Sequence, residues 1–267
     1  MRKTVIIAAA LAAAVLTGCG CKAAKDKPVP AADTVDTSAV AADTAAVVPD
    51  TVAAVSTFTD TRDGKVYKKV VIGAAVWMTE NLNYAAKGSK CYGEGGEAYV
   101  YNEATDSWGW KTLLDIEAQA NCAQYGRLYN WSTAMAIDTG YNRSQWDGSD
   151  VNHQGVCPEG WHIPSENEWT KLVEYAGSGA GMKLKSASGW IRDGNGTDKF
   201  GFAALPGGNG GSDGTVDDAG GGGNWWSATG GSADYALRQS IYLNGEGVYW
   251  KYTRKAYLFS VRCVKDD

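Results

Sequence analysis

The chain has 267 residues and a formal net charge of −5, with 25 Lys and Arg against 30 Asp and Glu. It contains no basic run, which argues against binding to nucleic acid and against electrostatic docking on anionic lipid. All aromatic residues lie after residue 57. The remaining stretch of about 210 residues is long enough to form one sizeable domain.

The N-terminus has the pattern of a lipoprotein signal peptide. Two basic residues precede an uncharged apolar run at 5–16, which is too short to span a bilayer but suits the core of a signal peptide. The run ends in Leu16-Thr17-Gly18-Cys19, which resembles the bacterial lipobox. The sequence therefore predicts a signal peptide at 1–18 and acyl chains, palmitate among them, on Cys19. An Asp directly after the acylated cysteine keeps many lipoproteins in the inner membrane. Because Gly20 occupies that position here, we expect the protein to be anchored in the outer membrane, with its domain at the cell surface or facing the periplasm.

Residues 19–57 have the composition of a tether. After Cys19 they consist almost entirely of Ala, Val, Thr, Asp and Pro. Such a segment cannot bury enough apolar surface to offset the entropy lost on ordering. We therefore expect a disordered tether that carries a domain at 58–267 away from the lipid.

The domain is predicted to be α+β, with a short twisted sheet, two helices and long loops. In chain order, the residue pattern predicts strands at 65–72 and 76–78 around a turn at Gly73, and then a helix at 113–124. Ser165 and Glu168 form a capping box for a second helix, which ends before Gly177. Alternating apolar residues predict strands on both sides of a turn at 244–247 and a final strand at 259–263.

Four of the six cysteines lie in the domain, at positions 91, 122, 157 and 263. An even number in an exported domain predicts two disulfides, for which three connectivities exist. We favour Cys91 with Cys122 as a local loop and Cys157 with Cys263 as a long-range link. The spacings match no zinc motif.

Seven blocks of residues stand out along the domain, namely FTDTRDGKVY (58–67), VWMTENLNY (76–84), GRLYNW (126–131), GVCPEGWHIPS (155–165), GFAALPGG (201–208), WWSAT (225–229) and SVRCVK (260–265). In this order the blocks resemble the Fibrobacter succinogenes major paralogous domain. The resemblance implies a surface-associated domain that often occurs in lipoproteins. It leaves the biochemical function open.

Two shorter stretches resemble other families. HIPSENEW at 162–169 is similar to the helix start of formylglycine-generating enzymes, and Trp225-Trp226-Ser227 with a C-terminal Cys is similar to C-type lectin-like domains. Both resemblances imply a sulfatase-modifying-factor-like or lectin-like scaffold. Formylglycine chemistry needs two reactive cysteines near the C-terminus, where only Cys263 occurs. His162 is interpreted as structural, and no enzyme is predicted.

A non-catalytic module that binds glycan or a surface protein, and so contributes to adhesion, is the leading interpretation. Aromatic faces stack on sugar rings, so Trp250, Trp226 and Tyr249 are the candidate contacts, with core packing as the alternative. A divergent enzyme on the formylglycine-generating scaffold and a purely structural envelope protein remain as further alternatives.

One loop has oxygen ligands at the spacing of a Ca²⁺ site. Asp193, Asn195 and Asp198 are separated by two glycines and a threonine, a spacing that suits a Ca²⁺-binding loop. The same residues also suit an Asx-rich turn. No Glu follows at the twelfth position of the loop, where a calcium-binding loop has a bidentate ligand. A turn is the favoured interpretation, and no other cofactor is expected. The Glu-Pro-Asn and Gln-Pro-Asp tripeptides of calcium-dependent lectin sites do not occur.

Overall fold

A computed structural model describes residues 54–266. The predicted signal peptide, Cys19 and nearly all of the predicted tether lie outside the described residues. Within the described range, no helix is both long and apolar enough to cross a membrane.

The described strands form two sheets. In chain order they are β1 (Ser56–Thr59), β2 (Val66–Ile72), β3 (Ala75–Met78), β4 (Glu97–Asn102), β5 (Ser107–Thr112), β6 (Trp161–His162), β7 (Gly207–Gly210), β8 (Val216–Ala219), β9 (Gly222–Gly230), β10 (Tyr235–Tyr242), β11 (Tyr249–Arg254) and β12 (Val264–Lys265). The five-stranded sheet has the order β1-β2-β3-β12-β6, and the seven-stranded sheet has the order β11-β10-β9-β7-β8-β4-β5. The first sheet is antiparallel throughout, whereas β4–β8 and β7–β9 are parallel pairs in the second.

Four α-helices accompany the sheets in the described part of the chain. They are α1 (Asp115–Tyr125), α2 (Trp131–Ala134), α3 (Glu166–Ala176) and α4 (Ala180–Leu184), with a 3₁₀ helix at Thr139–Asn142. The mixture of helices and sheets confirms the predicted α+β class.

Local sequence signals located several elements correctly. β2 and β3 form a hairpin whose turn contains Gly73 at φ +63°, a left-handed conformation that favours glycine. The Ser165 hydroxyl accepts a hydrogen bond from the Glu168 amide, and the Glu168 carboxylate accepts one from the Ser165 amide. The predicted capping box is therefore confirmed, and α3 ends at Gly177 as expected.

Other expectations about the elements were wrong. The first strand begins at Ser56, inside the predicted tether, because residues 56–59 pair with β2. The described residues form two sheets and four α-helices, whereas one sheet and two helices were predicted. No strand spans 259–263, because this segment divides its hydrogen bonds among Tyr129, Trp226, Leu82 and Met78. The terminal strand is β12, which lies between β3 and β6.

Tryptophan side chains dominate the core. Seven of the 11 are buried: Trp77, Trp131, Trp161, Trp169, Trp190, Trp225 and Trp226. Successive residues of a strand point to opposite faces, and the side chains of Trp225 and Trp226 are nevertheless both buried because both faces of β9 are covered. Trp225 packs in the cluster that contains Trp169, whereas Trp226 packs in the cluster that contains Phe259.

Both favoured disulfide pairs are confirmed. Cys91 is bonded to Cys122 across 31 residues, and Cys157 is bonded to Cys263 across 106 residues. The long-range bond lies in the core and ties the segment before β6 to the segment that leads into β12.

A buried hydrogen-bond network joins four of the sequence blocks. The side-chain oxygen of Asn81 accepts hydrogen bonds from Trp225 Nε1 at 2.8 Å and from Arg262 Nη2 at 2.7 Å. Arg262 is fully buried, and it also donates to the backbone carbonyls of Phe202 and Ala203. Burial lowers the pKa of Arg262 to about 9, which leaves the guanidinium protonated at neutral pH.

His162 has a similar structural role. Its Nε2 lies 2.7 Å from Glu168 Oε1, and its Nδ1 lies 2.6 Å from Asp266 Oδ1. Burial opposes protonation of the imidazole, but the two carboxylates outweigh it and raise the pKa of His162. This pair of contacts connects β6 both to α3 and to the C-terminal segment, in agreement with the predicted structural role.

Candidate functional site

An open cleft of about 440 Å³ lies on the seven-stranded sheet, and the residues that line it come from β4, β5, β7, β8, β9 and β10. Its lining combines aromatic, acidic, amide and guanidinium side chains. The residues are Tyr99, Trp108, Asn209, Asp217, Asp218, Asn224, Arg238 and Tyr242.

The β4–β5 hairpin supplies an aromatic wall. Tyr99 pairs with Trp110 and Tyr101 pairs with Trp108 across the two strands, and alternate residues of a strand share a face. The four rings therefore lie on one face of the hairpin. Tyr99 and Trp108 are stacked, with ring centroids 5.8 Å apart and an angle of 18° between their planes. Both are partly exposed and both line the cleft.

Two adjacent carboxylates lie next to this wall, because Asp217 is the neighbour of Tyr99 in the parallel β4–β8 pair. Successive residues of a strand normally point to opposite faces, but Asp218 has a left-handed backbone at φ +64°, and both Asp217 and Asp218 line the cleft. The Asp218 carboxylate lies directly against Gly221 and Gly222, where a Cβ atom would collide with it. Glycine is therefore required at these two positions for the carboxylate to occupy this place.

The environment of Asp218 disfavours its charge. Partial burial, with a smaller contribution from the neighbouring Asp217, raises the pKa of Asp218 to about 6, against an opposing effect of Arg238. No described residue donates a hydrogen bond to this carboxylate. Asp217 is more exposed and accepts a hydrogen bond from the Asn209 amide. A carboxylate that lacks a donor is available to a ligand.

Arg238 lines the cleft and is held in place by its own contacts. Its Nε donates to Thr253 Oγ1 at 3.0 Å, and its Nη1 donates to the side-chain oxygens of Asn224 and Ser240. Its guanidinium also lies 5.1 Å from the centre of the Phe259 ring. These contacts give the polar side chains of Arg238 and Asn224 defined positions in the cleft lining.

The predicted glycan contacts lie elsewhere, and one of them is wrong. Trp226 has no exposed surface, and its indole nitrogen donates to the Tyr129 carbonyl at 2.7 Å, so it cannot stack on a ligand. Trp250 and Tyr249 are exposed by 65% and 49% on β11. Trp250 borders a smaller cavity of about 250 Å³ beside α3. A ligand contact at these two residues stays a prediction.

The candidate calcium loop uses its oxygens for hydrogen bonds to its own neighbourhood. Asn195 Oδ1 accepts from the Trp190 amide at 3.0 Å, and Asp198 Oδ1 accepts from the Ala203 amide at 2.7 Å. Burial raises the pKa of Asp198, and Asp193 lies in the turn at φ +56°. These contacts favour the turn interpretation. Across residues 54–266, no three His, Cys, Asp or Glu side chains are placed together to hold a metal ion.

The α+β domain, its two disulfides and its network of buried tryptophans and polar groups define a disulfide-stabilised scaffold that presents a cleft. The family model described as the Fibrobacter succinogenes major domain matches residues 70–265. The chain therefore belongs to this family, as its sequence blocks indicated. No curated protein and no solved structure matches the chain. The likeness to formylglycine-generating enzymes and C-type lectin-like domains stays a prediction.

The cleft residues were missed by sequence reasoning because they lie outside the blocks that carry the family resemblance. Those blocks supply buried residues such as Asn81, Trp225 and Arg262, whereas the cleft is built by the segments between them. Two signals were present. Aromatic residues occupy every second position at Tyr99 and Tyr101 and again at Trp108 and Trp110. Two adjacent Asp residues precede a run of glycines at 220–223.

Proposed function

We propose that this protein is a lipid-anchored surface lipoprotein whose domain binds saccharide without chemical turnover, and that the sugar occupies the cleft beside the β4–β5 hairpin. The observation that carries the proposal is that the stacked Tyr99 and Trp108 rings line one cleft together with fixed polar side chains.

Sugar rings have one apolar face and a rim of hydroxyl groups. An aromatic wall covers the apolar face at a small cost in side-chain entropy. Carboxylates and amides accept and donate hydrogen bonds to the hydroxyl groups, and their fixed positions provide selectivity. The cleft offers both kinds of group and two stacked, partly exposed rings, whereas Trp250 is the only exposed aromatic side chain among the described residues that line the cavity beside it.

The N-terminal pattern supports the cellular context of this proposal. Acylation of Cys19 would hold the chain to the outer membrane, and residues 20–55 would give the domain reach toward a polysaccharide or a neighbouring surface. Binding of an insoluble or surface glycan would then produce adhesion.

Binding by the detergent-purified full chain to a glycan array tests the proposal, and titration then gives the affinity for any ligand found. We expect Trp108→Ala to weaken binding about thirtyfold, since a central aromatic anchor contributes about 2 kcal/mol or more. Trp250→Ala is the matched control, because it removes an exposed Trp from another part of the same sheet. Circular dichroism checks the fold of both variants.

Three outcomes would contradict the proposal. If the folded wild type binds no saccharide, the domain has a protein partner or a structural role. If Trp250→Ala loses binding and Trp108→Ala retains it, the sugar lies on β11. If incubation with a bound glycan releases new reducing ends, the protein is an enzyme.

A further inference from the structure

We propose that the saccharide held in the cleft carries a protonated amino group, which the carboxylates of Asp217 and Asp218 bind while the aromatic wall covers the same sugar ring. This inference rests on the proposed function, because it names the chemical class of sugar that the cleft selects.

The charges that line the cleft do not cancel. Asp217 and Asp218 supply two carboxylates, and Arg238 is the only cation among the described lining residues. The Arg238 guanidinium donates to neutral oxygens of Thr253, Asn224 and Ser240. With both carboxylates ionised, the lining keeps an excess of negative charge that a cationic ligand would neutralise.

Asp218 is suited to a ligand that donates hydrogen bonds. Its carboxylate lies against Gly221 and Gly222 and receives no hydrogen bond from the described residues. Desolvation makes the bare ion costly, so a charged donor gains more here than in water. An ammonium group provides three N–H donors and a full charge, whereas a hydroxyl provides one donor and no charge.

The aromatic wall adds to the same preference. A cation near the face of Trp or Tyr is attracted by the electron density of the ring, and the C–H groups of a sugar pack on the same face. Because Tyr99, Trp108 and Tyr242 line the cleft together with the carboxylates, one ligand can use both interactions. A sugar ring with an unacetylated amine has the matching combination of an apolar face and a positive charge.

Three oligosaccharides that differ only at C2 separate this inference from general sugar binding. Tetramers of glucosamine, N-acetylglucosamine and glucose with the same linkage carry an amine, an acetamide and a hydroxyl, respectively. Calorimetric titration of the full chain near neutral pH should give roughly tenfold tighter binding of the amine tetramer than of the other two.

Asp218→Asn should remove that preference while retaining the shape of the cleft and its binding of the glucose tetramer. The matched control is Asp213→Asn, because it removes the same charge from the β7–β8 turn, and Asp213 does not line the cleft. If attraction to an acidic protein explained the preference, both variants would reduce it equally. The wild-type preference should also weaken below a pH of about 6, where Asp218 becomes protonated.

The outcomes for this inference and for the proposed function are distinct. If the neutral tetramers bind as tightly as the amine tetramer, the inference is wrong and saccharide binding stands. If the amine is preferred equally by Asp218→Asn, the assigned carboxylate is wrong. If none of the three tetramers binds and the glycan array is also negative, both proposals fail.

Discussion

Replacement of Asn81 by Leu tests the buried network that connects four of the family blocks. Asn81 is almost completely buried, and its side-chain oxygen accepts from the Trp225 indole and from two nitrogens of Arg262. Leu has the same branched shape and no polar atom, although it is larger than Asn, so the substitution removes the hydrogen bonds and adds some packing strain. It leaves the Trp225 indole, the Arg262 guanidinium and the Tyr125 carbonyl, which accepts from Asn81 Nδ2 at 2.8 Å, without this partner.

The expected loss can be estimated from these contacts. An unsatisfied buried N–H costs about 1–3 kcal/mol, and a charged donor costs more. Arg262 keeps its bonds to the carbonyls of Phe202 and Ala203, which limits the loss. We therefore expect Asn81→Leu to lower the free energy of unfolding by about 3–5 kcal/mol, a large share of the roughly 5–15 kcal/mol typical of a domain.

A double-mutant cycle provides the control. Arg262→Met removes the charged donor, so Asn81→Leu should cost about 2 kcal/mol less in that background than in the wild type. Urea unfolding of the full chain, followed by tryptophan fluorescence and circular dichroism, measures each free energy. An unchanged denaturant slope shows that the unfolding transition is comparable among variants. Strictly additive losses would refute the role assigned to Asn81.

Three further predictions concern the disulfides, pH and the anchor. Removal of the Cys157–Cys263 bond should lower the free energy of unfolding by about 5 kcal/mol, and removal of Cys91–Cys122 by about 4 kcal/mol, because the longer loop constrains the unfolded chain more. Denaturation of the paired Cys→Ala variants checks this order, which the reverse ranking would contradict. The pKa of His162 is raised and that of Glu168 is lowered in the folded state. The stability from protonated His162 should therefore be complete below its ordinary value of 6.5 and lost as pH rises through the raised pKa. The stability contributed by ionised Glu168 should be complete above pH 4.5, which is the ordinary pKa of a Glu side chain, and lost as pH falls through the lowered pKa of Glu168. Unfolding at a series of pH values should show both losses in wild type, and a His162→Gln variant that kept the high-pH loss would contradict the assignment. Finally, Cys19→Ala should release the protein from membranes or leave it unprocessed, and metabolic labelling with an alkyne fatty acid should mark wild type alone.

Local patterns in the sequence predicted local structure. The capping box at Ser165, the turn at Gly73 and the α+β class follow from interactions within a few residues, so a single sequence contains the information needed. The sequence blocks also predicted the family correctly. The two disulfide pairs were favoured among three connectivities, and the structure confirms them.

Tertiary structure alone decided which face of each element is covered and where the cleft lies. A strand pattern predicts that neighbouring side chains point in opposite directions, but it cannot show that both directions are buried, as they are for Trp225 and Trp226. The cleft brings Tyr99 and Trp108 together with Asp218 and Arg238, which are more than 100 residues away in the chain. Their proximity results from the parallel pairing of β4 with β8. This long-range pairing leaves no periodic signal in either strand.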